Sequence, residues 1–220
     1  MLVPLLRALD VKVDTVMLSH RDADHTGGAQ AILAMQPRAQ LVSSLENEHV
    51  LQTIRKSTRC VAGQRWTWDG VDFEVLHPQP DDYIAPPSSN AMSCVLRVSN
   101  ASSVALLAGD IELAQEARLV AAKAPLKADL LLVPHHGSKT SSSAAFLDAV
   151  QPGIALVQAG FRNRFGHPAA SVLARYEERR IQVFESPACG AMTWRSAQAQ
   201  ALECHRRESM RYWNHDMERR

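Results

Sequence analysis

Residues 19–28 read Ser-His-Arg-Asp-Ala-Asp-His-Thr-Gly-Gly, placing four potential metal ligands, His20, Asp22, Asp24 and His25, within six positions. Carboxylates this close repel one another, and the imidazoles beside them demand partners. Divalent cations meet both needs. Imidazole offers the borderline nitrogen donors that zinc and manganese accept, and carboxylates between two cations offset their mutual repulsion. Further metal-capable groups follow other strand-like runs: Asp110 after "VALLAG", His135 and His136 after "DLLLVP", and His167 in the loop after "IALVQAG". Alone, a Gly-Asp is ordinarily a turn and a histidine beside glycine an ordinary loop residue. Recurring at strand ends, where rigid elements present distant side chains to one place, they point to a dinuclear site. Its open coordination positions would hold water and substrate, and a water bound there ionises near neutral pH.

The elements that must position these groups follow from periodicity. Leu2, Leu5, Leu6 and Leu9 share a helical face, so residues 2–9 read as a helix. Residues 14–19 and 40–44 read as strands, with a helix opened by Gly27 and Gly28 and closed by Pro37 between them. Residues 64–78 alternate around Asp69-Gly70, predicting a hairpin with a type I′ turn, and residues 94–99 and 103–109 predict another. Residues 79–90 form a loop rich in Pro, Asp and Ser. The remainder alternates helices at 112–123, 143–150 and 169–179 with strands at 129–134, 154–160 and 182–186. Hairpins followed by such alternation indicate an α/β protein with mixed sheets.

At 220 residues, 46% hydrophobic and 21% charged, the chain suits one globular domain with a real core. We divide it into a body, 1–197, and a polar tail, 198–220, read as a loosely attached helix. A net charge of +1 excludes a strong whole-protein field for nucleic acid, so such a role needs a local patch. Arg55, Lys56, Arg59 and Arg65, with no acid between them, offer one, although a solvated face is the plainer reading. The four scattered cysteines, with no C-x-x-C pair, read as buried or free thiols, and their spacing demands no disulfide. The first thirteen residues are too short and too charged to span a bilayer, and no cleavage site follows, so the chain as given reads as soluble.

"HRDADHTGG" resembles the H-x-[HD]-x-D-H motif of the metallo-β-lactamase fold, "LLAGD" its strand ending in a bridging aspartate, and "VPHHGS" the strand delivering a late histidine. Asp22 where many relatives carry histidine, together with "HHGSKTS" and "NRFGHP", resembles more narrowly the C-terminal domain of the ComEC competence family. The resemblance covers residues 5–195. It implies a four-layer αββα sandwich of mixed sheets, entered at the helix before the first motif and so lacking the first strands, with an open sheet edge. It also implies two divalent metal ions, Zn²⁺ or Mn²⁺: His20 and Asp22 on the first, Asp24 and His25 on the second, Asp110 bridging. The family pattern puts the late ligand at His136 and leaves His135 a catalytic or orienting imidazole, with exchange of those two roles open. Where many relatives supply another histidine, "NAMSCVLRV" offers Asn90 and Ser93, giving an oxygen-richer shell in which manganese is plausible.

The remaining roles are expectations of the same kind. His167 binds a substrate phosphate or protonates the leaving oxygen, unless it is a structural loop histidine. Ser138, Thr140 and Ser141 hydrogen-bond phosphate oxygens or cap the following helix. The function implied is cleavage of DNA phosphodiesters during natural transformation, with DNA and the membrane channel of the same protein as partners. The parent would sit in the bacterial inner membrane with this domain on its periplasmic or extracellular side. A small-molecule or cell-wall phosphodiesterase on the same site is the second reading, favoured by near-neutral charge and 5% aromatic content. A non-catalytic DNA-guiding module or inactive fragment is the third.

Overall fold

The first strand and helices lie on a small parallel sheet. The computed structural model describes residues 2–209. Helix α1 (Leu2–Ala8) precedes β1 (Thr15–Leu18), α2 (Ala23–Thr26), α3 (Ala29–Met35), β2 (Gln40–Ser43), α4 (Leu51–Ile54) and β3 (Ser57–Arg59). Strands pair in the order β1-β2-β3, all parallel. β1 is bonded on one side only, and the apolar face of α1 stays open, with Leu2, Leu5 and Leu9 each more than half exposed.

The larger sheet begins with the expected hairpin, β4 (Arg65–Trp68) and β5 (Val71–His77). Asp69 and Gly70 both have positive φ, 47° and 77°, as a type I′ turn requires. β6 (Val95–Ser99) and β7 (Val104–Leu107) form the second hairpin. Then α5 (Leu113–Ala121), β8 (Leu130–Leu132), α6 (Ala144–Val150), β9 (Ile154–Val157), α7 (Ala170–Glu178) and β10 (Gln182–Glu185) alternate. The order β10-β9-β8-β7-β6-β5-β4 is parallel from β10 to β7 and antiparallel from β7 to β4, a mixed sheet.

Three buried clusters separate four layers. Leu18, Leu33 and Leu41 join α3 to the small sheet. Val75, Cys94 and Leu96, backed by Met17 and Val42, fill the space between the sheets. Leu119, Phe146, Leu147, Val172 and Tyr176 bind α5, α6 and α7 to the large sheet. That is the αββα arrangement.

Two expectations need correction. The four cysteines are paired, Cys60 with Cys94 and Cys189 with Cys204, and none among the described residues is free. Cys60 leaves β3 and Cys94 enters β6, so packing of the two sheets brings together residues 34 apart in sequence, a proximity that spacing does not reveal. The tail is also tied down further than expected. After α8 (Ser186–Cys189), β11 (Met192–Trp194) pairs with β12 (Leu202–Cys204), and α9 (His205–Glu208) follows. The hairpin and the Cys189–Cys204 bridge thus cross the division drawn at 197/198; residues 210–220 lie outside those described.

Candidate metal centre

β7, β8 and β9 are parallel neighbours, so the turns that follow them emerge at one end of the sheet. They carry Asp110, His135 with His136, and His167. Gly109 has φ +57°, and a Cβ there would lie 2.9 Å from the Cβ of Ser93 and 3.1 Å from that of Ser19. Glycine is therefore what lets this strand end touch both serines. The first motif arrives on α2. Its N-cap residue, Asp22, receives the backbone N–H groups of His25 and Thr26 on its carbonyl, and its carboxylate takes no part in the cap. Gly27 closes this turn where a Cβ would stand 2.6 Å from the Ala23 carbonyl oxygen. Gly28 is under no such constraint.

Three imidazoles point Nε2 inward and are tied at Nδ1. His20 Nδ1 lies 3.0 Å from Ser19 Oγ and 3.2 Å from Ser93 Oγ, and His25 Nδ1 lies 2.9 Å from Ser19 Oγ. His136 Nδ1 donates to the Gln158 carbonyl at 2.6 Å. Their Nε2 atoms face carboxylates: His20 to Asp22 at 3.5 Å and Asp110 at 4.0 Å, His25 to Asp110 at 3.3 Å and Asp24 at 3.7 Å, His136 to Asp24 at 3.2 Å and Asp110 at 3.4 Å. One ligand atom from each of Asp24, His25, Asp110 and His136 lies within 4.8 Å of the others. His20 joins them through Asp110, and Asp22 through His20.

Burial and charge act together here. Burial pushes the Asp110 carboxyl up, but hydrogen bonds from His136 and His25 outweigh it and hold it well below the usual carboxylate range. His136 is raised to about 9, chiefly by its hydrogen bond to Asp110. His20 is lowered by burial and by the neighbouring His25. Nε2 of His20 is shielded from solvent and has no hydrogen-bond partner. A bare nitrogen lone pair aimed at a carboxylate is repulsive unless a proton or a cation stands between them, and burial disfavours the proton on His20. The donor set therefore fits divalent cations.

The sequence matches the family model described as the metallo-beta-lactamase superfamily over residues 3–160. The chain belongs to the metallo-beta-lactamase superfamily. It is 36% identical over 193 residues to "Competence protein ComA" of Neisseria gonorrhoeae, an alignment covering 87% of this chain and 26% of that protein. It is 33% identical over 189 residues to "Recombination protein 2" of Haemophilus influenzae, covering 86% and 23% respectively. The chain spans about a quarter of the length of these relatives. Among solved structures, Tm1679, titled a metal-dependent hydrolase of the beta-lactamase superfamily, superposes with a TM-score of 0.51 at 10% identity, covering 83% of this chain and 80% of that one; this likeness concerns the fold. The metallo-beta-lactamase fold implies divalent metals, and the cluster of Asp24, His25, Asp110 and His136 is a possible place for them.

The other expected site residues are placed variously. His135 stands beside the cluster rather than in it, with Nδ1 3.2 Å from Thr140 Oγ1 and 3.4 Å from Glu112, and Nε2 3.3 Å from Asn90 Nδ2. Both His135 and His136 have positive φ, 49° and 54°, a left-handed turn that costs about 1–2 kcal/mol per residue and splays the two rings apart. His167 lies 5.8 Å from His135, ring to ring; its Nδ1 is buried without a partner, and burial and His135 lower its pKa.

Ser93, expected at the substrate, is fully buried; its Oγ meets His20 and accepts from the Asp110 backbone N–H, so it orients the centre from behind. The hydroxyls of Ser138 and Thr140 bond each other, and Thr140 donates to Glu112. Neither these nor Ser141 caps α6. That cap is Ser143, whose Oγ accepts from Phe146, because the buried Glu116 carboxylate takes the N–H groups of Ser142 and Ser143 and fixes the chain one step later. Of the basic stretch, Arg65 pairs with Glu74 and Arg59 lies over the Tyr83 ring.

Sequence reasoning missed Ser19, Ser89, Glu112, Gln158 and His77. Ser89 Oγ donates to the Asp22 carboxylate at 2.7 Å. His77 donates from Nδ1 to the Ser93 carbonyl at 2.8 Å and faces Asp82, which Arg118 holds at 2.8 Å. Only Ser19, beside His20, carried a local signal.

Proposed function

We propose that this chain is a metal-dependent phosphodiesterase acting on DNA, part of a DNA-uptake protein. The observation that carries the hydrolase reading is the convergence of three Nδ1-anchored imidazoles on the Asp110 carboxylate. His20, Asp22, Asp24, His25, Asp110 and His136 would hold two divalent cations, and this mixed nitrogen and oxygen set suits zinc or manganese. Cations held there supply Lewis-acid activation of water and of a phosphoryl oxygen.

The chain's own groups do the rest. Ser19, Ser93 and Gln158 fix ring orientation, and Ser89 fixes Asp22. His135, held through Nδ1 by Thr140 and Glu112, is the candidate to pass a proton to the leaving oxygen. His167, its pKa lowered by burial and so neutral near pH 7, is suited to bind a phosphate oxygen as a hydrogen-bond donor. Asn90 and Thr140 border His135 and would meet the substrate on that side.

DNA as substrate is supported by the competence and recombination relatives. A position outside the cytoplasm is supported by the two disulfides, since such bonds persist in oxidising compartments. No described helix is long and apolar enough to cross a membrane, so an inner-membrane channel would be a separate portion of the parent protein.

The test compares substrates. With Mn²⁺ or Zn²⁺ supplied, the chain should cleave oligodeoxynucleotides with kcat/KM well above that for a cyclic dinucleotide or bis(p-nitrophenyl) phosphate. Preference for the small diesters would move the reading to a small-molecule phosphodiesterase. DNA affinity without turnover of any diester would leave a DNA-guiding module.

A further inference from the structure

The loop between β9 and α7 displays an aromatic ring beside the metal centre that the site described above does not use. Phe165 is 67% exposed. The Arg164 guanidinium sits 4.7 Å over its ring, and the His167 ring lies nearly parallel to it, 17° between planes and 5.8 Å between centroids. The loop does not leave Phe165 exposed for want of order. Asn163 donates to the carbonyls of Gly160 and His167 and accepts from the His167 N–H at 3.0 Å, closing the loop around one side chain. Phe165 and His167 share with Asp24 and His136 an open cavity of about 430 Å³. Arg162 and Arg164 adjoin its lining residues Asn163 and Phe165 in sequence, and no acidic residue occurs between Asp148 and Glu177.

A large apolar ring held in water, capped by a guanidinium, next to a site for phosphodiesters, has the chemistry of a base-stacking platform: an aromatic face for a nucleobase and a cation for the adjoining phosphate. We infer that Phe165, with Arg164, forms a stacking subsite for an unpaired nucleobase next to the bond to be cut, so that the centre takes single-stranded or frayed DNA. This rests on the phosphodiesterase reading for its substrate. Bases inside a duplex have both faces occupied by their neighbours and cannot use such a platform.

The test uses the whole 220-residue chain loaded with Mn²⁺ and two strands of equal length, one with normal bases and one with abasic sites throughout. The parent protein should bind and cleave the normal strand with the lower KM. Phe165→Ala should raise KM for the normal strand roughly 5- to 100-fold and bring the ratio of the two KM values toward one, and Phe165→Trp should restore that ratio. A parent ratio near one, an unchanged ratio in Phe165→Ala, or an equal loss on both strands would overturn the inference. Fluorescence anisotropy of labelled strands reads the same ratio without turnover. If neither strand is cut, the hydrolase reading fails, while the Phe165 dependence of binding still decides the platform.

Discussion

At His136 the Nδ1–H is committed to the Gln158 carbonyl, and Nε2 faces two carboxylates; at His135 neither nitrogen reaches that cluster. The adjacent residues thus separate into a candidate ligand and a candidate proton carrier. His136→Ala should lower bound metal measurably after dialysis, whereas His135→Ala should keep the parent's metal content and lose turnover by about 10²–10⁴-fold, the range for a general acid. Metal loss in His135→Ala with retention in His136→Ala would exchange their roles. Of the six candidate ligands, four stood out because they crowd one segment and Asp110 because it ends an apolar run, whereas His136 was preferred to the adjacent His135 only through the family resemblance. Their orienting partners were not legible in sequence: Ser93 meets His20 across 73 residues and Ser89 meets Asp22 across 67, distances over which spacing carries no information.

Among elements, the turns after β7, β8 and β9 gather the site because those strands are parallel neighbours, and β6 brings Ser93 to the same end. The hairpins could be read from Asp69-Gly70 and from alternation. The cap of α6 could not, because the buried Glu116 decides which serine stands there. Behind Ser93 lies a second layer of support, in which Arg118 on α5 holds Asp82, Asp82 faces His77, and His77 holds the Ser93 carbonyl.

Burial lowers the pKa of His77 below its ordinary 6.5, only partly opposed by its hydrogen bond to Ser93 and by Asp82. The unfolded chain therefore binds more protons than the folded one, and stability is full above about pH 6.5 and falls as the pH drops below it. His77→Asn keeps a donor near the position of Nδ1 and removes the titration. Its urea midpoint should fall less steeply than the parent's between about pH 6.5 and pH 5, at equal metal loading. Parallel slopes would show that His77 does not contribute. His20, also lowered by burial, carries the same sign and is common to both proteins.

For the whole molecule, hairpins followed by alternating elements pointed to an α/β protein with mixed sheets, and the family resemblance implied the four layers, but neither pointed to the Cys60–Cys94 bridge between the two sheets. Closing its 34-residue separation removes chain entropy from the unfolded state worth on the order of 3–4 kcal/mol. The double variant Cys60→Ala/Cys94→Ala should lose stability of about that size in urea unfolding. Equal midpoints for parent and variant would show that the sheets hold without the bridge. Cys94 follows Ser93, so the bridge also anchors the strand end that orients His20 and Asp110.

The imidazoles converge on Asp110, which follows β7 at the sheet end where those turns gather. The most direct measurement takes the parent, Asp24→Ala and Asp110→Ala, and records bound metal and DNA cleavage on the same preparations. The parent should retain divalent metal and cut DNA, and both variants should lose metal and turnover, Asp110→Ala more completely. A parent that retains no metal, or equal cleavage by all three proteins, would contradict the metal-dependent reading.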